Sequence, residues 1–306
     1  MKIAYIISAY KYPDQLIRLI GRLQDEQASF FVHIDQKTDA NMYEYVCSRL
    51  RKFRNVYILK RYKCYWGDFG HVLATIEGMK EILRQNITCD YVVLLTGQDY
   101  PIASNRTIRK FFQDNKGKLF IRYFPIPENN SWTNERGGLD RIEYRHVRLG
   151  NHCFRLTEKN IIHFGNQITA LPLSRFYSFV GQKRNLPKGY KPYGGMSYWC
   201  LTTESVEYIY NFIQVNKEFL KFFKYVYIPD EIIFQTILLN SHFKESIVNN
   251  SLRYMKWVPQ KAHPEILGKN DFAEMVNSGR LFARKFDLTR DAEILDTIDQ
   301  EIFNKA

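Results

Sequence analysis

Cysteine is scarce in this sequence, and its placement argues against two kinds of stabilising site. Only 5 of the 306 residues are Cys, and none occurs in a Cys-x-x-Cys spacing. An odd number of widely spaced thiols is not typical of a disulfide framework, and the missing close pairs disfavour a structural zinc site. The cysteines are Cys47, Cys64, Cys89, Cys153 and Cys200. A reducing compartment is therefore expected.

Long apolar runs are also missing. No stretch reaches the roughly 20 apolar residues that span a bilayer. The apolar segment after Met1 ends at Tyr10 and Lys11, and it is too short for a secretory signal with a cleavage site. These absences predict a cytoplasmic location.

Acidic residues are outnumbered by basic ones, which gives a formal net charge of +12. Such a balance indicates an anionic partner: nucleic acid, an anionic membrane surface or a phosphorylated substrate. The cations are scattered and no nucleic-acid-binding motif is recognisable, so nucleic acid is not expected. Peripheral contact with the inner face of the plasma membrane stays open.

Strand and helix patterns alternate over the first 125 residues. The predicted strands are residues 3–9, 30–34, 56–59, 91–95 and 119–122, and helices are predicted from residue 13, over 72–83 and over 104–114. Buried apolar strands that alternate with amphipathic helices are typical of a doubly wound α/β fold. We therefore expect a Rossmann-like, mostly parallel central sheet that is flanked by helices.

The second half is less regular at first. Residues 125–190 are polar and rich in Pro, Gly, Asn and Arg, and we interpret them as facing the acceptor substrate. A strand over 198–201 and helices over 203–215 and 230–240 follow. No linker or repeat separates the halves, so one domain is predicted over residues 1–306, with a nucleotide-binding half (1–125) and an acceptor-binding and catalytic half (126–306).

Polar residues follow several predicted strands. Ser8, Asp35 and the segment 96–99 all lie at carboxyl ends, where open α/β sheets bind ligands. Asp35 could accept a hydrogen bond from a base or ribose, although a turn or helix-capping Asp is equally common there. We expect a nucleotide to bind among these residues.

Pro229, Asp230 and Glu231 precede an apolar helical stretch. Acidic residues are favoured in a first turn by the helix dipole, and this is the ordinary structural explanation. A carboxylate at that position could also take a proton from an acceptor hydroxyl. We select Glu231 as the candidate catalytic base, and a single base suits a direct, inverting displacement at an anomeric carbon.

Arg284 and Lys285 are adjacent cations between the apolar residues Phe282, Ala283 and Phe286, so the segment is expected to be anchored. An Arg fork and a Lys point charge match a diphosphate, and a solvated basic surface is the alternative. The sequence has no Asp-x-Asp, the acidic pair with which most nucleotide-sugar-dependent glycosyltransferases hold a metal. We expect the two cations to replace that metal, so that no metal or other cofactor is needed.

Four further residues are candidates for contact with a sugar. Trp66 and Asp99 are predicted in loops, where an indole could face a sugar and a carboxylate could hold its hydroxyls; core packing and a turn are the competing interpretations. Gly195 permits close backbone approach, and Trp257 could stack on an acceptor.

Taken in order, these motifs resemble glycosyltransferase family 14, which contains the core-2/I-branching β-1,6-N-acetylglucosaminyltransferases and the peptide O-xylosyltransferases. The matching segments are Val-His-Ile-Asp-Gln-Lys at residues 32–37, Trp-Gly at 66–67, Leu-Leu-Thr-Gly-Gln-Asp-Tyr-Pro-Ile at 94–102, Gly-Gly at 194–195 through Trp199, Pro-Asp-Glu at 229–231 and Phe-Ala-Arg-Lys-Phe at 282–286. They span nearly the whole chain, and their shared order is more specific than any one of them.

The resemblance implies a GT-A fold and an inverting, metal-independent transfer of GlcNAc or xylose from a UDP-sugar to a glycan or lipid-linked glycan acceptor, in surface polysaccharide synthesis. It implies a role for six of the candidate residues. They are Glu231 as the base, Asp35 at the uracil end, Arg284 and Lys285 at the diphosphate, Trp66 beside the donor sugar and Trp257 beside the acceptor.

The sequence departs from the family pattern at two places. Many relatives have Ser and then an acid or amide after the Gly-Gly pair, where this chain has Met196 and Ser197. The branching enzymes place another Arg upstream of the paired cations, and here only Lys261 or His263 could supply that charge. The animal relatives are membrane-anchored, disulfide-bonded Golgi proteins. Because neither an anchor nor a set of disulfides is expected for this chain, we expect a bacterial, intracellular member of the family.

Two other classes of protein remain as alternatives. A glycoside hydrolase would need a second carboxylate, Asp99 or Asp230, roughly 5 to 9.5 Å from Glu231, and would leave the cation pair unexplained. A binding protein for nucleic acid or an anionic surface would show steep salt dependence and no affinity for UDP.

Overall fold

The computed structural model describes residues 1–128, 132–150, 152–157, 182–187, 189–258 and 263–303. The strands in these ranges are β1 (Ile3–Ala9), β2 (Ala28–Ile34), β3 (Val56–Ile58), β4 (Tyr91–Thr96), β5 (Asp99–Pro101), β6 (Leu119–Pro125), β7 (Arg145–Leu149), β8 (His152–Leu156), β9 (Tyr193–Thr202), β10 (Ile247–Val248), β11 (Arg253–Tyr254) and β12 (Phe282–Arg284).

The α-helices in the same ranges alternate with the early strands and cluster again in the second half. They are α1 (Pro13–Leu23), α2 (Ala40–Leu50), α3 (Gly70–Arg84), α4 (Asn105–Asp114), α5 (Leu139–Glu143), α6 (Thr203–Val215), α7 (Lys217–Phe223), α8 (Ile233–Leu239), α9 (Phe272–Asn277) and α10 (Glu293–Ile298). Short 3-10 turns include Thr133–Gly138 and Pro229–Glu231.

Seven strands form the central sheet, in the order β10-β6-β9-β4-β1-β2-β3. The pairs β1–β2, β1–β4, β2–β3 and β10–β6 are parallel, and β9 is antiparallel to both of its neighbours. The predicted α/β fold with a mostly parallel central sheet is therefore confirmed. The division into domains stays a prediction.

Hydrophobic residues fill both faces of this sheet because its strands are apolar on both sides. Successive residues of β1 alternate between two buried clusters: Tyr5 and Ile7 pack in one with α1, while Ala4 and Ile6 pack in the other with α3 and α6. Strands buried on two faces read as continuous apolar runs, which is why β1, β2 and β4 were predictable from sequence.

A second, three-stranded sheet carries the paired cations. Its order is β11-β12-β5, and the antiparallel register of β12 and β5 sets Arg284 opposite Asp99. The prediction that Asp99 lies in a loop is therefore wrong, since Asp99 begins a short strand. Three-residue strands are too brief for a period-2 pattern to be visible in the sequence.

The predicted helix over residues 230–240 is also interrupted. Pro229–Glu231 form a 3-10 turn, Ile232 has a non-helical φ of −130°, and α8 begins only at Ile233. Glu231 therefore lies on a tight turn before the helix, and not in its first turn.

Other features of the chain bear on the expectations from sequence. All five cysteines are free. Within the irregular segment, the described part contains α5 and the antiparallel hairpin of β7 and β8. In the portions of the chain that the structure describes, no helix has the length and apolarity needed to cross a membrane.

Candidate active site

Arg284 is a buried cation at the end of β12. Only 10% of its side-chain surface is exposed, and its guanidinium lies 4.1 Å from the centre of the Tyr198 ring. Burial opposes the charge, but Tyr198 and Asp99 raise the pKa of Arg284 above its ordinary value. The residue therefore stays cationic.

The carboxylate of Asp99 lies beside this guanidinium, with its Oδ1 3.7 Å from Nη1 of Arg284. Its other oxygen, Oδ2, accepts hydrogen bonds from the amide and the hydroxyl of Thr96. Within the described residues, Asp99 Oδ1 and Arg284 Nη1 are both buried without a hydrogen-bond partner. Full burial of Asp99 favours support of Arg284 over direct contact with sugar hydroxyls.

The segment around Lys285 is anchored, as its apolar neighbours predicted. Phe282, Ala283 and Phe286 are all fully buried. The Lys285 carbonyl accepts from the Leu267 amide at 2.9 Å, and the peptide bond between Arg284 and Lys285 is cis. The backbone here is fixed by protein contacts, which excludes a loose, solvated surface segment.

Glu231 lies across from the cations, on the turn before α8. Arg141 of α5 donates from Nη1 to Glu231 Oε2 at 2.9 Å, and its Nε donates to Glu135. The Arg141 guanidinium also stacks 3.6 Å from the ring centre of Trp132. Glu135 and Trp132 thus hold Arg141 in place, and Arg141 in turn holds the Glu231 carboxylate.

The electrostatic surroundings of Glu231 shift its proton affinity. Although 28% of the side-chain surface is exposed, burial is the largest cause of the shift in the pKa of Glu231, and the negative charge of Asp230 is the second. Arg141 opposes both, and together they raise the pKa of Glu231 to about 7. A carboxylate with this pKa is well matched to take up a proton near neutral pH.

Tyr198 of β9 is the residue whose ring contacts Arg284. Burial raises the pKa of its phenol, with contributions from the charges of Asp99, Asp230 and Glu231, while Arg284 acts in the opposite direction. Ser197, the residue before Tyr198, donates from its hydroxyl to Asp230 at 2.6 Å. Strand β9 therefore contacts both Arg284 and the turn that carries the predicted base, Glu231.

Asp35 and Ser8 lie at the carboxyl ends of β2 and β1, as predicted. The Asp35 carboxylate is buried, and it accepts hydrogen bonds from the amide and ammonium groups of Lys37 and from the Cys64 amide. Three donors from the protein therefore already engage this carboxylate. Its contact with a uracil stays a prediction.

Ser8 is next to a buried histidine on the neighbouring strand. Ser8 Oγ and His33 Nδ1 are 3.1 Å apart, and the Tyr62 amide donates to His33 Nε2 at 3.0 Å. Burial lowers the pKa of His33 to about 4. The Val-His-Ile-Asp motif therefore supplies both Asp35 and a neutral imidazole that contacts Ser8.

Trp66 and Trp257 are both exposed, at 54% and 50%. Trp66 makes edge contacts with the rings of Tyr227, at 5.5 Å, and His263, at 5.9 Å. Burial and the charges of Lys285 and Arg284 lower the pKa of His263, so it lies near the cation pair but is not a third cation at neutral pH. Lys261 lies outside the described residues.

Gly195 permits a close approach, as predicted, but the group that approaches is the backbone of β6. A Cβ at Gly195 would lie 1.9 Å from the Arg122 carbonyl oxygen, beside a shift in register between β6 and β9. This contact accounts for the glycine without a ligand, and contact with a sugar stays a prediction.

Sequence reasoning missed Arg141 and Tyr198. Arg141 was visible only as one of several arginines in an irregular segment, and Tyr198 as an aromatic residue of a strand. The part of the chain that the structure describes contains no group of three or more His, Cys, Asp or Glu residues placed to hold a metal ion. Two arginines lie near the Tyr198 ring, Arg284 at 4.1 Å and Arg253 at 6.0 Å from its centre.

Comparison with solved structures includes weak likenesses. The 4-diphosphocytidyl-2C-methyl-D-erythritol synthase from Anaerococcus prevotii has a TM-score of 0.32 and 12% identity, covering 72% of this chain and 82% of that one. This likeness is too low to inform either fold or function.

Comparison of sequences is more informative. Xylosyltransferase 2 of Rattus norvegicus is 26% identical over 323 residues, which cover 99% of this chain and 34% of the relative. Beta-glucuronosyltransferase GlcAT14A of Arabidopsis thaliana is 25% identical over 316 residues, which cover 99% of this chain and 65% of the relative. The chain thus spans about a third of the length of the xylosyltransferase.

A family model described as Core-2/I-Branching enzyme matches residues 3–276. The match includes the turn that carries Glu231 and ends before β12. It confirms the resemblance to glycosyltransferase family 14 that the motifs indicated. Since the matched region makes up most of the sequence, the chain belongs to the Core-2/I-branching enzyme family.

Proposed function

We propose that this protein is an inverting, metal-independent glycosyltransferase that moves a sugar from a UDP-sugar to a hydroxyl of a glycan. The main support for the proposal is that adjacent residues of β9 contact both charged groups: Tyr198 contacts the buried Arg284, and Ser197 is hydrogen-bonded to Asp230, next to Glu231 with its pKa of about 7. A base for the acceptor and a cation for the leaving group are the two parts that such a reaction requires.

In the proposed reaction, Glu231 accepts the proton of an acceptor hydroxyl as its oxygen forms a bond to the anomeric carbon. The bond from that carbon to the UDP oxygen breaks on the opposite face, so the configuration inverts and UDP leaves with the electron pair. Glu231 later returns its proton to solvent. The fixed position of its carboxylate between Arg141 and the turn aids this step.

Negative charge grows on the diphosphate as the bond to the sugar breaks. Arg284 has an unpartnered buried nitrogen among the described residues and is already held in place by Asp99 and Tyr198. Preorganised donors of this kind stabilise a transition state because they need not reorganise during the reaction. Together with Lys285 and the missing Asp-x-Asp, this supports a mechanism without metal.

The donor sugar is proposed to be xylose or GlcNAc. The name of the xylosyltransferase relatives supports xylose, and the name of the Arabidopsis relative adds glucuronic acid as a third sugar to test. We place the acceptor, a glycan or lipid-linked glycan of a surface polysaccharide, on the side of Glu231 and Trp257. The net charge of +12 supports peripheral contact with an anionic membrane during that reaction.

The test is a turnover assay with UDP-xylose, UDP-GlcNAc and UDP-glucuronic acid, each with a mixed glycan acceptor and an excess of EDTA. We expect one donor to release UDP and form a product of inverted configuration, with the same rate when Mg²⁺ or Mn²⁺ replaces EDTA. Loss of turnover in EDTA would contradict the metal-free mechanism. Release of free sugar from a glycan with no nucleotide present would identify a hydrolase instead.

A further inference from the structure

Lys11 follows β1 by two residues, at the carboxyl end of the central sheet. Strand β4, the neighbour of β1, ends at the same edge, and Gly97 after it donates its amide to the Ser8 carbonyl at 3.0 Å. This edge is where α/β sheets bind their ligands. Lys11 is part-buried there, in the first loop that leaves the sheet.

A chain of hydrogen bonds ties Lys11 to the segment that carries the paired cations. Lys11 Nζ donates to the Tyr12 hydroxyl at 3.0 Å and lies 4.3 Å from the centre of its ring. The Tyr12 hydroxyl in turn donates to Asp287 Oδ2 at 2.6 Å. Since Asp287 follows Lys285 by two residues, the first loop and the cation segment are held together.

The backbone of Tyr12 is also unusual. Its φ of 56° and ψ of 64° lie in the left-handed region, which residues other than glycine seldom occupy. Such a conformation persists where the surrounding contacts determine it, and it occurs often at functional sites. At Tyr12 the side chain is held by hydrogen bonds with both Lys11 and Asp287.

The positive charges at this place lie close together. Burial is the largest cause that lowers the pKa of Lys285, and the charges of Lys11 and Arg284 lower it further. Bringing like charges together costs free energy, which an anion bound among them would offset. His263, a candidate for a third cation from the sequence, is less favoured in its charged form because burial and the charges of Lys285 and Arg284 lower its pKa.

We propose that Lys11 is the third cation of the diphosphate site, where its ammonium group binds the donor together with Arg284 and Lys285. This inference rests on the proposed function, because it assumes that a nucleoside diphosphate occupies the site. Lys11 supplies a point charge from the first loop, whereas Arg284 supplies a planar, buried fork from β12, so the two complement each other at the diphosphate. Tyr12 and Asp287 are positioning residues for Lys11.

The experiment measures the affinities of uridine, UMP and UDP by calorimetric titration for the wild type and for Lys11→Met. The control is Lys2→Met, which removes the same charge at the opposite end of β1. We expect Lys11→Met to weaken UDP binding about tenfold, to weaken UMP binding less and to leave uridine binding unchanged, because charge-assisted contacts require phosphate. Lys2→Met should leave all three affinities unchanged.

The outcomes separate this inference from the function on which it rests. If the wild type binds neither UMP nor UDP, the proposed function fails, and the role of Lys11 fails with it. If the wild type binds UDP and Lys11→Met binds it equally well, only the role of Lys11 is overturned. Equal losses of affinity for uridine and for UDP would show that Lys11 has a structural role, and this result would also overturn its proposed role in binding the diphosphate. Lys11→Gln is the second variant, judged by the same criteria, if Lys11→Met does not fold.

Discussion

The two sides of the site each hold a charged group that is largely shielded from water, and the effect on the two groups differs. On the base side, Glu231 has an opposing charge in Arg141 but a like charge in Asp230, and its pKa rises to about 7. On the cation side, Arg284 faces Asp99 and the Tyr198 ring, and its pKa is raised above an already high value. Burial thus makes the carboxylate titratable near neutral pH and leaves the guanidinium charged.

The difference follows from the chemistry of the two groups. A carboxylate loses its charge by binding a proton when water is removed, whereas Arg cannot be neutralised at accessible pH. A base must exchange a proton in each cycle, and a diphosphate-binding cation must not. Each side of the site therefore uses the residue type whose response to burial suits its proposed role.

Of the changes that test this comparison, removal of the proposed base, Glu231, should have the largest effect on turnover. Glu231→Gln keeps the shape and an acceptor for Arg141 but cannot take up a proton, so turnover at pH 8 should fall about 10³-fold. The affinity for UDP should stay unchanged. Glu135→Gln, which alters the other partner of Arg141, is the control and should lose far less. If Glu231→Gln retains more than a tenth of the wild-type turnover, Glu231 is not the base.

Loss of the buried cation should come next. Arg284→Met should lower turnover about 10²-fold, because one preorganised contact to the developing charge is lost. This variant also leaves Asp99 buried without its counter-charge, which should lower stability. In the double variant with Asp99→Asn, thermal denaturation should show recovered stability and the assay should show no recovered turnover. If both stability and turnover recover, Arg284 contributes only to the stability of the fold and not to the reaction.

The pH dependence of turnover tests the titration of Glu231 directly. Turnover of the wild type should rise with pH through a midpoint near 7, because the base must lose its proton first. Arg141→Met removes the charge that lowers this pKa and should move the midpoint upward by roughly one pH unit. Arg155→Met, whose partner is Asp140 on the outer face, should not move it. An unchanged midpoint in Arg141→Met would contradict the statement that the charge of Arg141 lowers the pKa of Glu231.

The smallest expected effect is on stability. The pKa of Glu231 in the folded protein, about 7, lies above its ordinary value of 4.5, so stability from this group is complete below pH 4.5 and is lost as pH rises through 7. Glu231→Gln should therefore gain a few degrees in Tm relative to the wild type at pH 8.5, and should gain nothing at pH 4.5. Glu207→Gln, on the exposed surface of α6, is the control. An equal difference at both pH values would contradict the burial effect.

The sequence predicted those parts of the fold that have long patterns. Strands β1, β2 and β4 are continuous apolar runs, and α6 was predicted with its observed bounds, Thr203–Val215. Helix α2 was missed because only Val46 and Leu50 of its residues are buried, which leaves a weak helical period. The short strands β5 and β12 could not be recognised, because the contacts that define them join residues far apart in the chain.

The same distinction applies to the site. Glu231 and Arg284 stand in short motifs whose chemistry can be judged locally, so both could be chosen from sequence. The contact of Arg141 with Glu231 joins residues 90 positions apart, and no local pattern indicates it. The support that Asp99 gives Arg284 likewise depends on the pairing of β5 with β12. Residues that tune a charged group are therefore harder to predict than the group itself.

The hydrogen bonds of His33 fix its tautomer, and this determines what Ser8 can offer to a ligand. A backbone amide can only donate, so Nε2, which contacts the Tyr62 amide, carries no hydrogen. The imidazole is neutral above pH 5, since its pKa is about 4, and its hydrogen must be on Nδ1, where it points to Ser8 Oγ. The Ser8 hydroxyl then keeps its own hydrogen for another acceptor. At this edge of the sheet, Ser8 can therefore donate to a carbonyl or phosphate oxygen of a ligand while it accepts from His33.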